Sequence, residues 1–204
     1  LDPDAVEATA PTGGDRAVLG AGDDPLLVLE AAPDAPPRAP DEAGLYHVAF
    51  RVPDRPALGA AIARLRERDL LDGAADHGVS EAVYLRDPAG NGIEIYTDRP
   101  RGEWPLAGDR VQMVTDPLDL DALAALADDA AAAAPFPAGT TIGHVHLEAT
   151  DLEATRECYA ALGMALRQRM GDQALFLAAG TYHHHVGANT WRRRSTPANP
   201  DSLG

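Results

Sequence analysis

Two ten-residue stretches, LYHVAFRVPD at 45–54 and IGHVHLEATD at 142–151, share an alternating apolar pattern, a His-Val pair and an aspartate seven residues after the histidine. A repeat this short has one apolar face and cannot bury it alone, so the fold has to be built from stacked or paired copies. A second correspondence, GDRAVLGAG from Gly14 with GDQALFLAAG from Gly171, carries the repeat beyond a single strand.

The alternation in both stretches is that of half-buried strands. Behind the first, PALGAAIARLRERDL sets Leu58, Ile62 and Leu65 at helical spacing with charges opposite. EAVYLRD and GIEIYTD then read as strands divided by the turn PAGN, and ADHGVS adds another ahead of them. Behind the second stretch, EATRECYAALGM reads as a helix with a glycine exit and QALFLAAG as a strand. RAVLGAGDDPLLVLEAA, near the N-terminus, reads as a hairpin. The repeating unit is βαβββ, and the fold class is α+β. The chain divides into a partial first module at 1–33, a second at 44–100, a linker with an Ala-rich helix at 101–139, a partial third module at 140–190, and a tail or interrupted connection at 191–204. The offset between copies makes the chain read as a fragment of a longer protein of four modules.

Charge narrows the partners. The 204 residues carry 32 Asp and Glu against 17 basic residues, all of them Arg, for a net charge of −15. Such a surface repels phosphate backbones and anionic lipid, so neither nucleic acid nor membrane is an expected partner. A lysine-free, acidic, Ala-rich chain fits a halophile proteome adapted to high salt, or equally a GC-rich genome. The single cysteine, Cys158, has no internal disulfide partner. No apolar run approaches the ~18 residues that span a bilayer. With no recognisable signal peptide, a cytoplasmic location is expected.

The stretch DHGVSEAVYLRDPAGNGIEIY at 76–96 combines His77, Val83-Tyr84, Asp87-Pro88, Gly90 and Glu94. With the repeated His-Val strand openings, it resembles the vicinal oxygen chelate superfamily: glyoxalases, fosfomycin- and bleomycin-resistance proteins and type I extradiol dioxygenases. Taken with YHHHVGANTW at 182–191, it further resembles catechol 2,3-dioxygenases of the CatE type. The resemblance implies paired, curved mixed sheets around a central cavity, with metal ligands on first and last strands of the modules. It implies His47 and Glu94 as ligands, with His144 completing the set only if the second and third modules pair; the family's usual pairing is first with second. Two histidines and a carboxylate on one face of an octahedral ion leave positions open for a catechol and O2, the arrangement of non-haem Fe(II) oxygenases. Fe(II) is the expected cofactor, with Mn(II) or another divalent metal as the alternative; the expected partners are a small aromatic diol and O2. His77 and Tyr84 take the catalytic roles, His77 handling protons and Tyr84 bonding a deprotonated catechol oxygen.

Each residue also has a plainer reading. A histidine on an apolar strand is more often a satisfied core residue than a ligand, Glu94 fits a solvent-facing carboxylate, His77 a surface loop, and Tyr84 a core residue with its hydroxyl at the rim. Asp87, Pro88, Gly90 and Asn91 are turn formers. In YHHH, His183 and His185 share one face of a strand and His184 does not. Two other functions use the same scaffold: glyoxalase-like chemistry on a divalent metal with more carboxylate ligands, and metal-free ligand sequestration by a binding or resistance protein. Incomplete module edges invite pairing with another chain, so a homo-oligomer is a further expectation.

Overall fold

A computed structural model describes residues 16–108 and 110–202. β1 (Arg16–Ala21) and β2 (Asp24–Glu30) form the expected antiparallel hairpin, a two-stranded sheet of its own; residues 1–15 of the first expected module lie outside the described residues. Then follow β3 (Gly44–Arg51), α1 (Arg55–Glu67), β4 (Gly73–Asp76), β5 (Ser80–Arg86) and β6 (Gly92–Asp98). After the two-residue strands β7 (Leu106–Ala107) and β8 (Arg110–Val111) and the short helices α2 (Leu120–Ala124) and α3 (Asp129–Ala133), the pattern restarts. Its second copy is β9 (Thr141–Glu148), α4 (Leu152–Ala161), β10 (Ala165–Met170), β11 (Ala174–Ala178) and β12 (Val186–Asn189).

The conserved spacing from histidine to aspartate within the repeat has a local cause. Asp54 caps α1 by accepting from the Ala57 amide at 2.9 Å, and Asp151 caps α4 by accepting from Glu153 and Ala154 at 2.8 and 3.0 Å. Each aspartate ends a strand and starts a helix by satisfying amides that the first helical turn leaves without partners.

Both copies contribute to one mixed eight-stranded sheet, in the order β10-β11-β12-β9-β3-β6-β5-β4. β3 and β9 pair antiparallel at its centre, His47 opposite His146 and Ala49 opposite His144. The second and third modules therefore pair, whereas the resemblance had led us to expect first with second. The third copy is also complete within the chain, not partial: β10 and β12 were not recognisable, because ALRQRM is largely polar and VGAN is small. Period-2 alternation sends Val83 and Ile95 to one face, where Leu58, Ile62, Leu65 and Leu123 pack on them, and leaves His47, Glu94 and Tyr84 for the other.

The linker differs from expectation twice. Its Ala-rich run is two five-residue helices rather than one, because Asp128 accepts from the Ala131 amide at 2.6 Å and starts a new helix. The residues before them form a strap across the concave face: Asp116 exchanges two 2.9 Å backbone bonds with Asp76 on β4, and the Gln168 side chain on β10 bonds both the amide and the carbonyl of Met113, at 2.6 and 3.0 Å. One segment thus ties together the two edges of the sheet. The tail is pinned as well: Arg192 and Arg194 reach buried Glu148 at 3.2 and 2.9 Å, and the Thr196 hydroxyl donates to Asp41 at 2.7 Å.

Leu123, fully buried between the linker and α1, offers a test of that packing. Leu123→Ala is expected to cost about 2–5 kcal/mol, which lowers the melting temperature by about 5–15 °C in a differential scanning calorimetry trace. An unchanged melting temperature would show that the linker helices are not part of the core. Among the described residues, no helix is long and apolar enough to cross a membrane.

Candidate metal centre and active-site cavity

The concave face holds a cavity of about 390 Å3. On its floor, His47 of β3, Glu94 of β6 and His144 of β9 come together from three neighbouring strands. Glu94 Oε2 lies 3.0 Å from His47 Nε2 and 3.3 Å from His144 Nε2, and the two nitrogens are 3.2 Å apart. All three side chains are buried, and among the described residues they form the one His/Cys/Asp/Glu cluster that could hold a metal ion.

These separations fit an ion. Cis ligands on an octahedral centre with bonds of about 2.1–2.3 Å stand about 3.0–3.3 Å apart. Two imidazole nitrogens and one carboxylate oxygen are the donor set of a facial triad with open positions. The Glu94 reading as a solvent-facing carboxylate fails on burial, since only 3% of the residue is exposed. Burial pushes the Glu94 carboxyl up, but the charge and hydrogen bond of His144, then those of His47, outweigh it and hold the group well below the usual carboxylate range.

His77 and Tyr84 stand beside this cluster. The Val114 carbonyl, on the strap, accepts from His77 Nδ1 at 2.7 Å, which fixes the proton on that nitrogen. Nε2 then carries the lone pair, and the Tyr84 hydroxyl donates to it at 2.7 Å. Burial first, then the nearby Glu94 charge, push the Tyr84 phenol well above its ordinary value, so it remains a donor. The DPAGN turn is scaffold: Asp87 accepts from the amide and side chain of Asn91 at 2.8 and 2.9 Å, and Gly90 adopts φ 89°.

Sequence reasoning missed His146, which shares a strand face with His144 and stacks edge-on against His47, centroid to centroid 5.0 Å. Its Nε2 is buried without a partner; the HVH spacing was a signal for it. Reasoning from alternation also left the YHHH residues unassigned. His183 and His184 are both buried, His183 against Asp98 and His184 with its ring 4.1 Å from that of His144. His185 is half-buried at the rim of the segment, near Ala179.

Burial drives the His144 imidazole down, and drives His146 and His184 well down. Histidines with depressed folded pKa values bind fewer protons than the unfolded chain below about pH 6.5, so stability is lost as pH falls through that range. Each contributes up to about 1.4 kcal/mol per pH unit. The metal-free protein is therefore expected to lose denaturation midpoint steeply between pH 7 and pH 5. A flat profile across that window would contradict the burial of these rings.

A sequence profile of the Glyoxalase/Bleomycin resistance protein/Dioxygenase superfamily matches residues 3–95, a span that contains His47, His77, Tyr84 and Glu94. Over residues 3–95 the chain is similar to members of this superfamily. A catechol-2,3-dioxygenase of Bacillus subtilis (strain 168) is 44% identical over 182 residues, covering 86% of this chain. The chain spans 62% of that relative's length. A solved structure from Bacillus subtilis subsp. subtilis strain 168 aligns with TM-score 0.51 at 14% identity, over 85% of this chain and 50% of that one; at that identity the likeness is one of fold alone.

Proposed function

We propose that the chain carries the active site of an extradiol ring-cleaving dioxygenase acting on catechol-type diols with O2. The observation that supports this best is the convergence of His47, His144 and Glu94 on one cavity floor with the His77–Tyr84 pair directly beside it. The 44% identical relative named catechol-2,3-dioxygenase points the same way.

In this reading His47 Nε2, His144 Nε2 and Glu94 Oε2 hold the metal. Fe(II), or Mn(II) or another divalent ion in its place, would supply Lewis-acid and redox chemistry to a bound diol and O2. The protein does the rest. Tyr84, kept protonated, turns its O–H from His77 toward a substrate oxygen and fixes the ring's orientation. His77 Nε2, freed of Tyr84, accepts a proton at that nitrogen and returns it, while the Val114 carbonyl keeps the ring in register. Met113, Val114 and Thr115 of the strap form one wall of the cavity. Glyoxalase-like chemistry calls for more carboxylates at the centre, and among the described residues Glu94 is the single one that joins the histidine pair.

Tyr84→Phe is expected to lower kcat/KM for catechol by about tenfold, the worth of one buried hydrogen bond. A steady-state comparison of the two proteins measures it, and equal values would remove Tyr84 from substrate orientation. The reading as a whole is tested by anaerobic Fe(II) reconstitution followed by catechol and air. A yellow ring-fission product with stoichiometric O2 uptake is expected. Bound iron with no product across several catechols would overturn ring cleavage, and no bound metal after reconstitution would favour simple ligand binding.

A further inference from the structure

Arg167 is the one residue of β10 without a cross-strand partner: Leu166 stands opposite Leu177 and Gln168 opposite Phe176. A bulge of this kind re-aims side chains, so that neighbours in sequence can reach the same side of a strand. Leu166 packs into the core beside α4, and Gln168 is spent on Met113 of the strap. Arg167, between them, is buried, with 8% of its surface exposed. Among the described residues its enclosed Nε has no hydrogen-bond partner. Arg169, two residues on, pairs with Glu153 at 3.0 Å, whereas Arg167 pairs with no described carboxylate.

A guanidinium keeps its charge at every ordinary pH, and a charge held this far from water is costly unless an opposite charge meets it. The Arg167 side chain forms part of the wall of a second cavity, of about 550 Å3, where the strap meets β10. Arg110 of β8 and Arg169 join that wall from exposed positions. The chain carries 32 acidic residues, yet no aspartate or glutamate is among the described residues that line this cavity. Val111, Met113 and Val114 make much of the remaining wall apolar. The volume exceeds what a bare inorganic ion fills and falls within the range of small organic ligands.

We propose that this second cavity binds a small organic oxyanion, a carboxylate or phosphate ester with an apolar body, held by Arg167 with Arg110 and Arg169 at the mouth. The planar fork of a guanidinium matches either head group with paired hydrogen bonds, and the apolar wall receives the rest of the molecule. An occupant held between β8 and β10 adds to the Gln168–Met113 link that fastens the strap to the sheet edge. None of His47, Glu94 and His144 lines this cavity, so the site does not depend on the function proposed above.

The test is calorimetric titration of the full, metal-loaded chain with benzoate and with phenyl phosphate at low ionic strength. Saturable binding of at least one is expected, the tighter of the two naming the head group. Arg167→Met should weaken it about 10–100-fold, the worth of a charge-assisted hydrogen bond, Arg167→Lys less, and exposed Arg110→Ala about two- to fivefold. A hundredfold excess of probe over Kd should raise the wild-type melting temperature by about 5–10 °C and slow hydrogen exchange at residues 110–115. Without probe, Arg167→Met should melt no lower than the wild type, because it removes a buried charge that has no partner. Binding of neither probe, or binding that is equal in Arg167→Met and Arg167→Lys and so belongs to the metal cavity, would overturn the proposal. So would a clear loss of melting temperature in Arg167→Met without probe, or binding that appears only in Asp109→Asn, since either would mean that the chain itself neutralises Arg167.

Discussion

His144→Ala is expected to strip the protein of iron. The residue supplies one of three ligand atoms that stand 3.0–3.3 Å apart, and it is the one contributed by the other repeat. Its loss leaves His47 and Glu94 on adjacent strands with one side of the centre open to the cavity. Losing an outer partner of a metal ligand typically costs about 10–100-fold in affinity, and losing the ligand itself should exceed that. Iron content after anaerobic reconstitution and desalting should drop from one per chain toward zero, and ring-cleavage activity with it. Metal binding also stabilises the folded state by mass action, about 2.7 kcal/mol at a hundredfold excess over Kd. Fe(II) should therefore raise the melting temperature of the wild type by about 5–10 °C and leave that of His144→Ala unmoved. Full iron content in the variant would mean that the repeats do not share a metal.

His77→Phe should leave the metal and remove the chemistry. His77 does not touch the ligand cluster; its two nitrogens are spent on the Val114 carbonyl and the Tyr84 hydroxyl. A positioned imidazole contributes about 10²–10⁴-fold through proton transfer, so kcat should fall within that range while iron content and melting temperature stay near wild type. KM should change little, because Tyr84 still donates. A fall in iron content matching the fall in kcat would instead make His77 a support for the metal.

Much of this was legible because the residues that make the fold also carry its chemistry. The His-Val strands and the DPAGN turn announce themselves through alternation and through residues suited to φ > 0, and Asp54 and Asp151 announce the helices behind them. His47 and Glu94 were legible through position within that repeat. His144 was legible as a position but not as a partner, since which strands pair across 97 residues depends on long-range packing that no local pattern records. The strap was illegible because its decisive contacts are backbone carbonyls, and a carbonyl such as Val114 has no side-chain signature. β10 escaped because an edge strand with a largely polar sequence shows no apolar alternation, and β12 because its four small, buried residues lie between two neighbours and need none. The YHHH residues were misjudged for a related reason: they precede β12 rather than lie on it, so strand alternation did not govern which way they point.

The most direct test of a shared metal centre is an anomalous-diffraction map at the iron edge from crystals of the Fe(II)-loaded protein. One peak within bonding distance of His47 Nε2, His144 Nε2 and Glu94 Oε2 is predicted. A peak that engages only one of the two repeats, or that sits among Tyr182–His185 instead, would contradict it.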